Sequence, residues 1–526
     1  MSSKKMFASA SSASSTKAKV ANTVNEAGGV AYKMSVKHAL AQYAVTGTFA
    51  DGFYTEGKDQ LEKFVKLLAE TDPIYAAKLA IYARHNGLMK DTPAAILAWI
   101  ASNDIEVFKA VFGKVVNNSK MLRNFVQMIR SGKFGRKSFG NAAKKAIQKW
   151  IENRSDEKLF DDAVGNDPSM ADIIKMVHVK PSNKTRAALY GYILGSNKLV
   201  AKDLPKIVKS FEDFKNGKSE VVPAVSWQRL TALPLTDKNW KELAESASWT
   251  TTRMNLNTFA RHGVFKDSKM VKKIAAKLSD KDEVAKAKVF PYQLLMAYLF
   301  VEEGVPSEIK NALQEAMEIA VDNVNSLTGK SVKIAVDTSG SMGSNVTGNR
   351  GSATSKARCI DVASLIASTL LRKNKGSKLY PFDTTVHSAS SINAFDSVMT
   401  NAEKLRKFGG GGTDCGCAMK AILDDMRNGD DVDVIVMISD NESWMNNSSR
   451  SGATSMASYW EQIRKINPKA KLICIDLIAN DTTQVVDGKN CLNLGGWSDE
   501  LFNEIGRFVG DFKANNWVEE IEKIEI

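Results

Sequence analysis

The amino-acid sequence predicts an α + α/β protein in two parts, a long array of stacked helix pairs followed by a doubly wound parallel α/β domain. Three observations carry that reading. The chain has 526 residues, too many for one core, and its 44% hydrophobic content suffices to bury two or three. From about Asn25 to Leu327, apolar residues recur at three- and four-residue spacing between short breaks at Gly, Pro, Asn and Asp, the mark of successive short helices. From Ser331 onward, β-branched apolar runs alternate with amphipathic segments, the order that builds a parallel sheet with right-handed crossovers.

In chain order, Met1–Asn25 is rich in Ser, Ala and Lys, has no acidic residue and lacks the apolar stretch of a secretory signal, so residues 1–25 are expected to form a disordered basic tail. Helices are expected over Lys58–Glu70, Pro73–Asn86, Thr92–Ser102, Asn103–Asn117, Lys120–Ser131, Ser138–Asn153 and Pro168–Val177, within a helical domain spanning 26–328. Pairs of such helices bury faces that single helices cannot, and their stacking into a solenoid offers an extended curved surface. The α/β domain, 329–526, is expected to run strand Ser331–Asp337, helix Ala357–Arg372, strand Lys378–Phe382, helix Cys415–Met426, strand Val432–Ser439, helix Ser455–Ile466, strand Lys471–Ile478 and helix Asp499–Phe512. The acidic, amphipathic segment Asn515–Ile526 is expected to pack back on the body. No stretch has the apolar length of a membrane span, so no membrane partner is expected.

Charge divides the chain. Of its 72 Lys and Arg and 59 Asp and Glu, the part from Ser331 onward holds 22 and 25, a net of −3, and the first 330 residues hold 50 and 34, a net of +16. A basic half points to an anionic partner, and nucleic acid fits best because neutralising phosphates with Lys and Arg drives association. The five cysteines (Cys359, Cys415, Cys417, Cys474, Cys491) are odd in number and form no C-x-x-C pair, which argues against a disulfide framework or a zinc site and fits a reducing cytosol.

One stretch carries chemistry most plainly. The run SVKIAVDTSGSM (Ser331–Met342) reads as a buried strand whose carboxyl end delivers Asp337, Ser339 and Ser341 to a crevice. A hard cation such as Mg²⁺ takes oxygen ligands in near-octahedral array, and one carboxylate with two hydroxyls supplies part of such a set. The loop GGGGTD (Gly409–Asp414) adds the Thr413 hydroxyl, and VDVIVMISDNE (Val432–Glu442) ends a second buried strand in Asp440. This D-x-S-x-S, Gly-rich Thr loop and strand Asp resemble the metal-ion-dependent adhesion site of von Willebrand factor A domains, with all five positions filled, and imply a bound Mg²⁺ or other divalent cation.

A second stretch is unusually basic. In RSGKFGRKSFGNAAKKAIQKW (Arg130–Trp150), Arg130, Lys133, Arg136 and Lys137 lie on a Gly-containing loop and Lys144 and Lys145 on the helix after it, with Phe134, Phe139 and Trp150 between them. Cations in that setting can grip phosphates, and the aromatics either stack on bases or fill the core. Further on, MVHVKP (Met176–Pro181) sets His178 and Lys180 at a helix end.

The order GRKSFGNAAKKAIQKW, MVHVKP, RMNLNTFARHGVF (Arg253–Phe265) and VFPYQLLMAYLF (Val289–Phe300), followed directly by the adhesion-type site, resembles the TROVE family, the Ro RNA-binding proteins; NEAGGVAY (Asn25–Tyr32) and Phe53-Tyr54 are family-like too. The resemblance implies a HEAT-like helical-repeat ring with the von Willebrand factor A domain attached as a clasp. It implies small structured non-coding (Y-like) RNA bound on the outer surface by Arg136, Lys137, Lys144, Lys145, His178 and Lys180, and single-stranded ends of misfolded RNA held in the cavity. For the cavity, Arg253, Asn255, Asn257, Arg261 and His262 are the candidates. This chain departs from longer relatives by a short connection between Pro181 and Trp240.

Three function classes follow: a non-catalytic cytoplasmic RNA-binding protein in RNA quality control, a metal-dependent adaptor whose ligand is a protein, such as an exoribonuclease, and a metal-dependent nuclease or phosphoryl-transfer enzyme. Catalysis is the least favoured. Metal-assisted hydrolysis wants a second ion or a positioned base, and the five ligands supply neither. Glu442 is the one candidate base, and Ser339 has no triad partner, since His387 is the sole histidine of the α/β domain and lies outside every motif.

Overall fold

The computed structural model describes residues 18–526 except 197–200, 288, 290, 323, 325, 328–329, 350–355, 446–451, 499 and 511–515. Most of the expected basic tail, residues 1–17, therefore lies outside the described residues. Its last part runs into a short hairpin, β1 (Thr23–Val24) against β2 (Val30–Lys33), where an all-helical region was expected.

Helices follow: α1 (Val36–Thr46), α2 (Gly57–Ala69), α3 (Pro73–His85), α4 (Asp91–Asn103), α5 (Ile105–Val115), α6 (Ser119–Ser131), α7 (Gly140–Glu152), α8 (Asp156–Asp162), α9 (Met170–Val177), α10 (Lys184–Ile193) and α11 (Lys206–Lys215). Their starts are set by side chains that accept the free N–H groups of the first turn: Asp72 with Pro73 behind it, Asp104, Asn118, Ser155, Asn183, and a reciprocal Ser169–Asp172 box. Their apolar faces merge into one core from Leu40 to Phe211.

A second helical core runs from Trp240 to Val321 and is built by α13 (Asp237–Ser246), α14 (Trp249–Met254), α15 (Leu256–Arg261), α16 (Ser268–Leu278), α17 (Lys281–Ala287), α18 (Pro291–Leu299) and α19 (Ser307–Asp322). The single-turn α12 (Trp227–Leu230) joins the two cores. Its Arg229 guanidinium lies 3.6 Å from the Phe160 ring centre and donates to the Phe160 carbonyl, while Ser226 N donates to Asp161 at 2.7 Å. On its other side Trp227 meets Trp240 and Phe259 edge-on. The connection from Pro181 to Trp240 thus contains α10, α11 and α12.

The α/β domain comprises β3 (Val332–Asp337), α20 (Cys359–Lys373), β4 (Lys378–Phe382), α21 (Val398–Leu405), α22 (Cys415–Arg427), β5 (Val434–Ser439), α23 (Ser455–Ile466), β6 (Lys471–Asp476), β7 (Thr482–Thr483), β8 (Cys491–Gly495), α24 (Glu500–Gly510) and α25 (Trp517–Glu522). Five strands form a parallel sheet in the order β4-β3-β5-β6-β8. Reversal of direction in that order puts β3 and β5 at the centre, where ligands of such sheets bind beyond the carboxyl ends. Helices α22 and α23 cover one face, and α20 the other.

The helical array is closed into a ring by this domain. At one end α18 and α19 pack on α20 and α21, and Val398 N donates to Glu318 at 2.9 Å. At the other, β2 pairs with β7 through Tyr32↔Thr483 and Lys33↔Thr482, α1 packs on β8, and Gln42 Nε2 donates to the Ile478 carbonyl at 2.7 Å. The closing helix α25 lies on α1 and α3, where the buried Trp517 donates to the Tyr82 hydroxyl at 3.0 Å.

Glu504 of α24 is buried against this junction, and burial pushes its carboxyl from 4.5 up to about 7, with Arg507 acting in the opposite sense. A carboxyl that holds its proton more tightly folded than unfolded contributes stability below about pH 4.5 that is lost as pH rises through about 7. The thermal midpoint is expected to fall across that window, and Glu504→Gln to flatten the fall; an unchanged profile in the variant would contradict the assignment.

Candidate metal centre and nucleic-acid interface

Four of the five expected metal ligands, Asp337, Ser339, Ser341 and Asp440, lie together, and the loop that carries the fifth, Thr413, docks beside them. Asp337 ends β3, and Ser339 and Ser341 follow on a tight turn with their hydroxyl oxygens 3.1 Å apart. Ser339 N donates to Asp337 Oδ1 at 2.8 Å, and the Ser439 hydroxyl, across on β5, donates to Oδ2 at 2.6 Å. Asp440 follows directly. The Gly-rich loop docks on this turn through Gly410 N to the Thr338 carbonyl, 2.8 Å, and Gly340 N to the Gly411 carbonyl, 2.9 Å. Only glycine fits at Gly409, with φ 77° and the Thr338 carbonyl oxygen 2.1 Å from where a Cβ would sit. That approach brings in Thr413, whose own carbonyl accepts from Trp444 N and Met445 N at 3.1 Å.

All five side chains are buried. Burial, and the facing Asp440, raise the Asp337 carboxyl well above the ordinary range; Asp440 is raised as well, by burial. Among the described residues no Lys or Arg pairs with either. Two uncompensated carboxylates with three hydroxyls make an oxygen-only donor set that fits a hard divalent cation and gives a soft one little to hold.

Two residues near the site escaped the sequence reading. Tyr54, from the loop before α2, lines a crevice that reaches Asp440, and burial pushes its phenol up to about 12. Its only signal was membership of the Phe53-Tyr54 pair, because nothing local links it to the metal motif. Ser439 is the residue before Asp440, where strand pattern alone assigns no role. Glu442, the candidate base, is buried with one oxygen accepting from Ala27 N at 3.0 Å, so it bonds the N-terminal hairpin region.

The basic stretch lies on adjoining elements. Gly132, left-handed at φ 70°, ends α6 and turns the chain into the loop. Arg130, Lys133, Arg136, Lys137 and Lys145 are exposed and Lys144 is half-buried. Gln148 Nε2 donates to the Val177 carbonyl at 2.7 Å, which sets the end of α9, with exposed His178 and Lys180, beside α7. None of these seven Lys and Arg lies within 4.0 Å of a carboxylate among the described residues. Arg136 is steadied by donating to the Ala101 carbonyl at 2.6 Å. Of the interleaved aromatics, Phe134 is buried, Phe139 packs against the same core, and Trp150 donates to the Val116 carbonyl with Arg154 stacked 4.0 Å away. They are structural.

The second set is more committed to the fold. Arg253 is largely buried and donates to the Gln293 carbonyl at 2.7 Å, with burial lowering its pKa. Asn255 bonds the Thr251 carbonyl and caps the end of α14, while Asn257 bonds both the Phe300 carbonyl and Glu302 N and fastens α15 to the residues after α18. Arg261 is exposed, paired with Glu302 at 3.6 Å, and exposed His262 stacks on Trp240 at 3.9 Å.

A ring of helices closed by a doubly wound domain with an oxygen-lined pocket at its switch point defines a class in which a repeat array and an adhesion-type domain form one body. Residues 172–338 match the TROVE domain family and residues 332–509 the Ro60 vWA domain family. The crystal structure of the Deinococcus radiodurans RO (RSR) protein is similar, with a TM-score of 0.62 and 19% identity over 90% of this chain and 99% of that one. No curated protein sequence matches. The chain is a Ro-like TROVE protein with a C-terminal von Willebrand factor A domain.

A divalent cation is expected to raise the thermal midpoint, since binding the folded state alone at about 100 times Kd adds about 2.7 kcal/mol. Asp337→Ala should abolish the shift. A shift that survives would place the cation elsewhere.

Proposed function

We propose that this protein is a non-catalytic RNA-binding protein of Ro type, acting in RNA quality control or processing in the cytoplasm. In this reading the helical body, residues 26–328, holds a small structured non-coding (Y-like) RNA on its outer surface. The observation that carries it is the cluster of seven Lys and Arg from α6, its loop, α7 and the end of α9, left without carboxylate partners beside His178. Pairing those cations with acidic neighbours would hide them from phosphate; leaving them free keeps their full attraction for a polyanion. Rigid helices suit recognition of RNA by shape and phosphate position.

Single-stranded RNA ends are assigned to the ring cavity, with exposed Arg261 and His262 the nearest candidates for contact. Arg253, Asn255 and Asn257 would then act by holding α14 and α15 in place. The metal pocket, filled by Mg²⁺ or another divalent cation on Asp337, Ser339, Ser341, Thr413 and Asp440, is assigned a binding role. An incompletely coordinated cation can accept a carboxylate from a protein, and an exoribonuclease is the partner class that the RNA reading suggests.

The double change Lys144→Ala, Lys145→Ala is expected to weaken structured-RNA binding and to lower its salt slope by about two, one per lost phosphate contact, while binding of single-stranded ends stays largely intact. Equal loss of both would merge the two surfaces. Incubated with Mg²⁺, bound RNA should remain full length; fragments that accumulate with time, and vanish in Asp337→Ala, would overturn the non-catalytic assignment.

A further inference from the structure

The seam where the ring begins is fastened to the same loops that carry the metal ligands. Asn25 Nδ2 donates to the Ser443 carbonyl at 2.8 Å, and Ala27 N donates to Glu442 Oε2 at 3.0 Å, so the hairpin region grips the residues immediately after Asp440. Asn25 is itself set by accepting from Gly29 N at 2.7 Å. Tyr54 lies beside the metal turn, in the crevice that reaches Asp440. Beyond Ser341, Thr48 Oγ1 donates to the Thr347 carbonyl and Asn349 N donates to the Asp51 carbonyl, both at 2.7 Å. A small crevice between the two halves, lined by Phe53, Tyr54, Ser344 and Val346, reaches Asp440. The seam at the other end, where α18 and α19 meet α20 and α21, uses none of these loops.

This asymmetry has a physical consequence. Asp337 and Asp440 face one pocket with no described Lys or Arg to offset them, and a cation would draw both carboxylates and three hydroxyls onto one point. Doing so fixes the turn after β3 and the loop after β5, and the stretches that follow them present the Thr347 carbonyl, Glu442 and the Ser443 carbonyl to the N-terminal segment. Building on the metal assignment made above, we propose that a hard divalent cation bound by Asp337, Ser339, Ser341, Thr413 and Asp440 locks the first seam of the ring, and that its release lets the segment from Ala18 to Thr55 lift from the α/β domain. With α25 still seated on α3, this loosens the seam beside the metal pocket and leaves the rest of the junction in place. Because coupling between two equilibria is reciprocal, whatever factor the cation adds to seam closure, the closed seam adds to cation affinity.

The test uses the full chain with Mn²⁺ as the probe, binding being measured by paramagnetic resonance and the seam by hydrogen exchange of the amides around Val30–Lys33. If the open state holds no metal, Mn²⁺ at about 100 times its Kd should slow exchange there about 100-fold, and leave the α19–α21 contact unaffected. Asn25→Ala and, more gently, Thr48→Val should speed seam exchange and weaken Mn²⁺ binding by a matching factor. Mn²⁺ that binds without changing seam exchange, or that binds both variants as tightly as the parent, overturns the lock and leaves the metal assignment standing. Failure of Mn²⁺ and Mg²⁺ to bind at all overturns both.

Discussion

Everything in this molecule depends on one fit: the α/β domain has to match both ends of the helical array at once. A stack of helix pairs otherwise ends in exposed apolar faces, and covering them is the usual task of dedicated terminal repeats. Here the sheet domain covers both. Leu365, Val398 and Met399 complete the second helical core, while one face of the sheet is continuous with the first core. The polar seams then fix orientation, through the β2–β7 ladder at one end and Glu318 at the other.

Closure also explains how a basic surface is kept available. Elsewhere on the helices three arginines are used for internal bonds: Arg229 holds the two cores together, Arg186 reaches Asp156 and the Arg154 carbonyl, and Arg123 caps the carbonyls of Asp162 and Val164. Among the described residues Arg130, Lys133, Arg136, Lys137, Lys144, Lys145 and Lys180 form no such ion pairs. A rigid frame holds them side by side without acidic partners, a arrangement that is repulsive on its own and becomes favourable when phosphate arrives. The acidic pocket repeats that logic with the opposite sign, since two buried carboxylates with no described Lys or Arg beside them are raised in pKa, and a cation would reverse that.

Much of this was legible in the sequence. Strand Lys378–Phe382 and helix Ser455–Ile466 have the predicted limits, and the seven helices predicted in the first core fall within one or two residues of theirs, because caps such as Asp72 and Asn118 mark the starts, whereas α1, α8, α10 and α11 had no predicted limits. The positions expected to hold a metal stand out in the sequence because three strand ends or loops each carry an oxygen side chain in a distinctive spacing. What escaped was what depends on distant partners. The hairpin β1–β2 exists because β7, some 450 residues on, offers an edge to Tyr32 and Lys33. The fifth strand, β8, is short and contains Asn493, whose side chain is satisfied only by Thr483, Val485 and Asp487 in the folded chain. Helix α21 follows a long irregular stretch and is defined by packing on α19 and α20. Tyr54 at the metal turn is of the same kind.

The central claim is that a closed ring of helices holds polynucleotide through cations it leaves unpaired. Its most direct test is the affinity of the purified protein for a small structured RNA measured as a function of salt. With six to ten phosphate contacts, affinity should fall by roughly 10³-fold or more between about 50 and 200 mM salt. Affinity that is flat across that range, or no binding at the low end of it, would contradict the account.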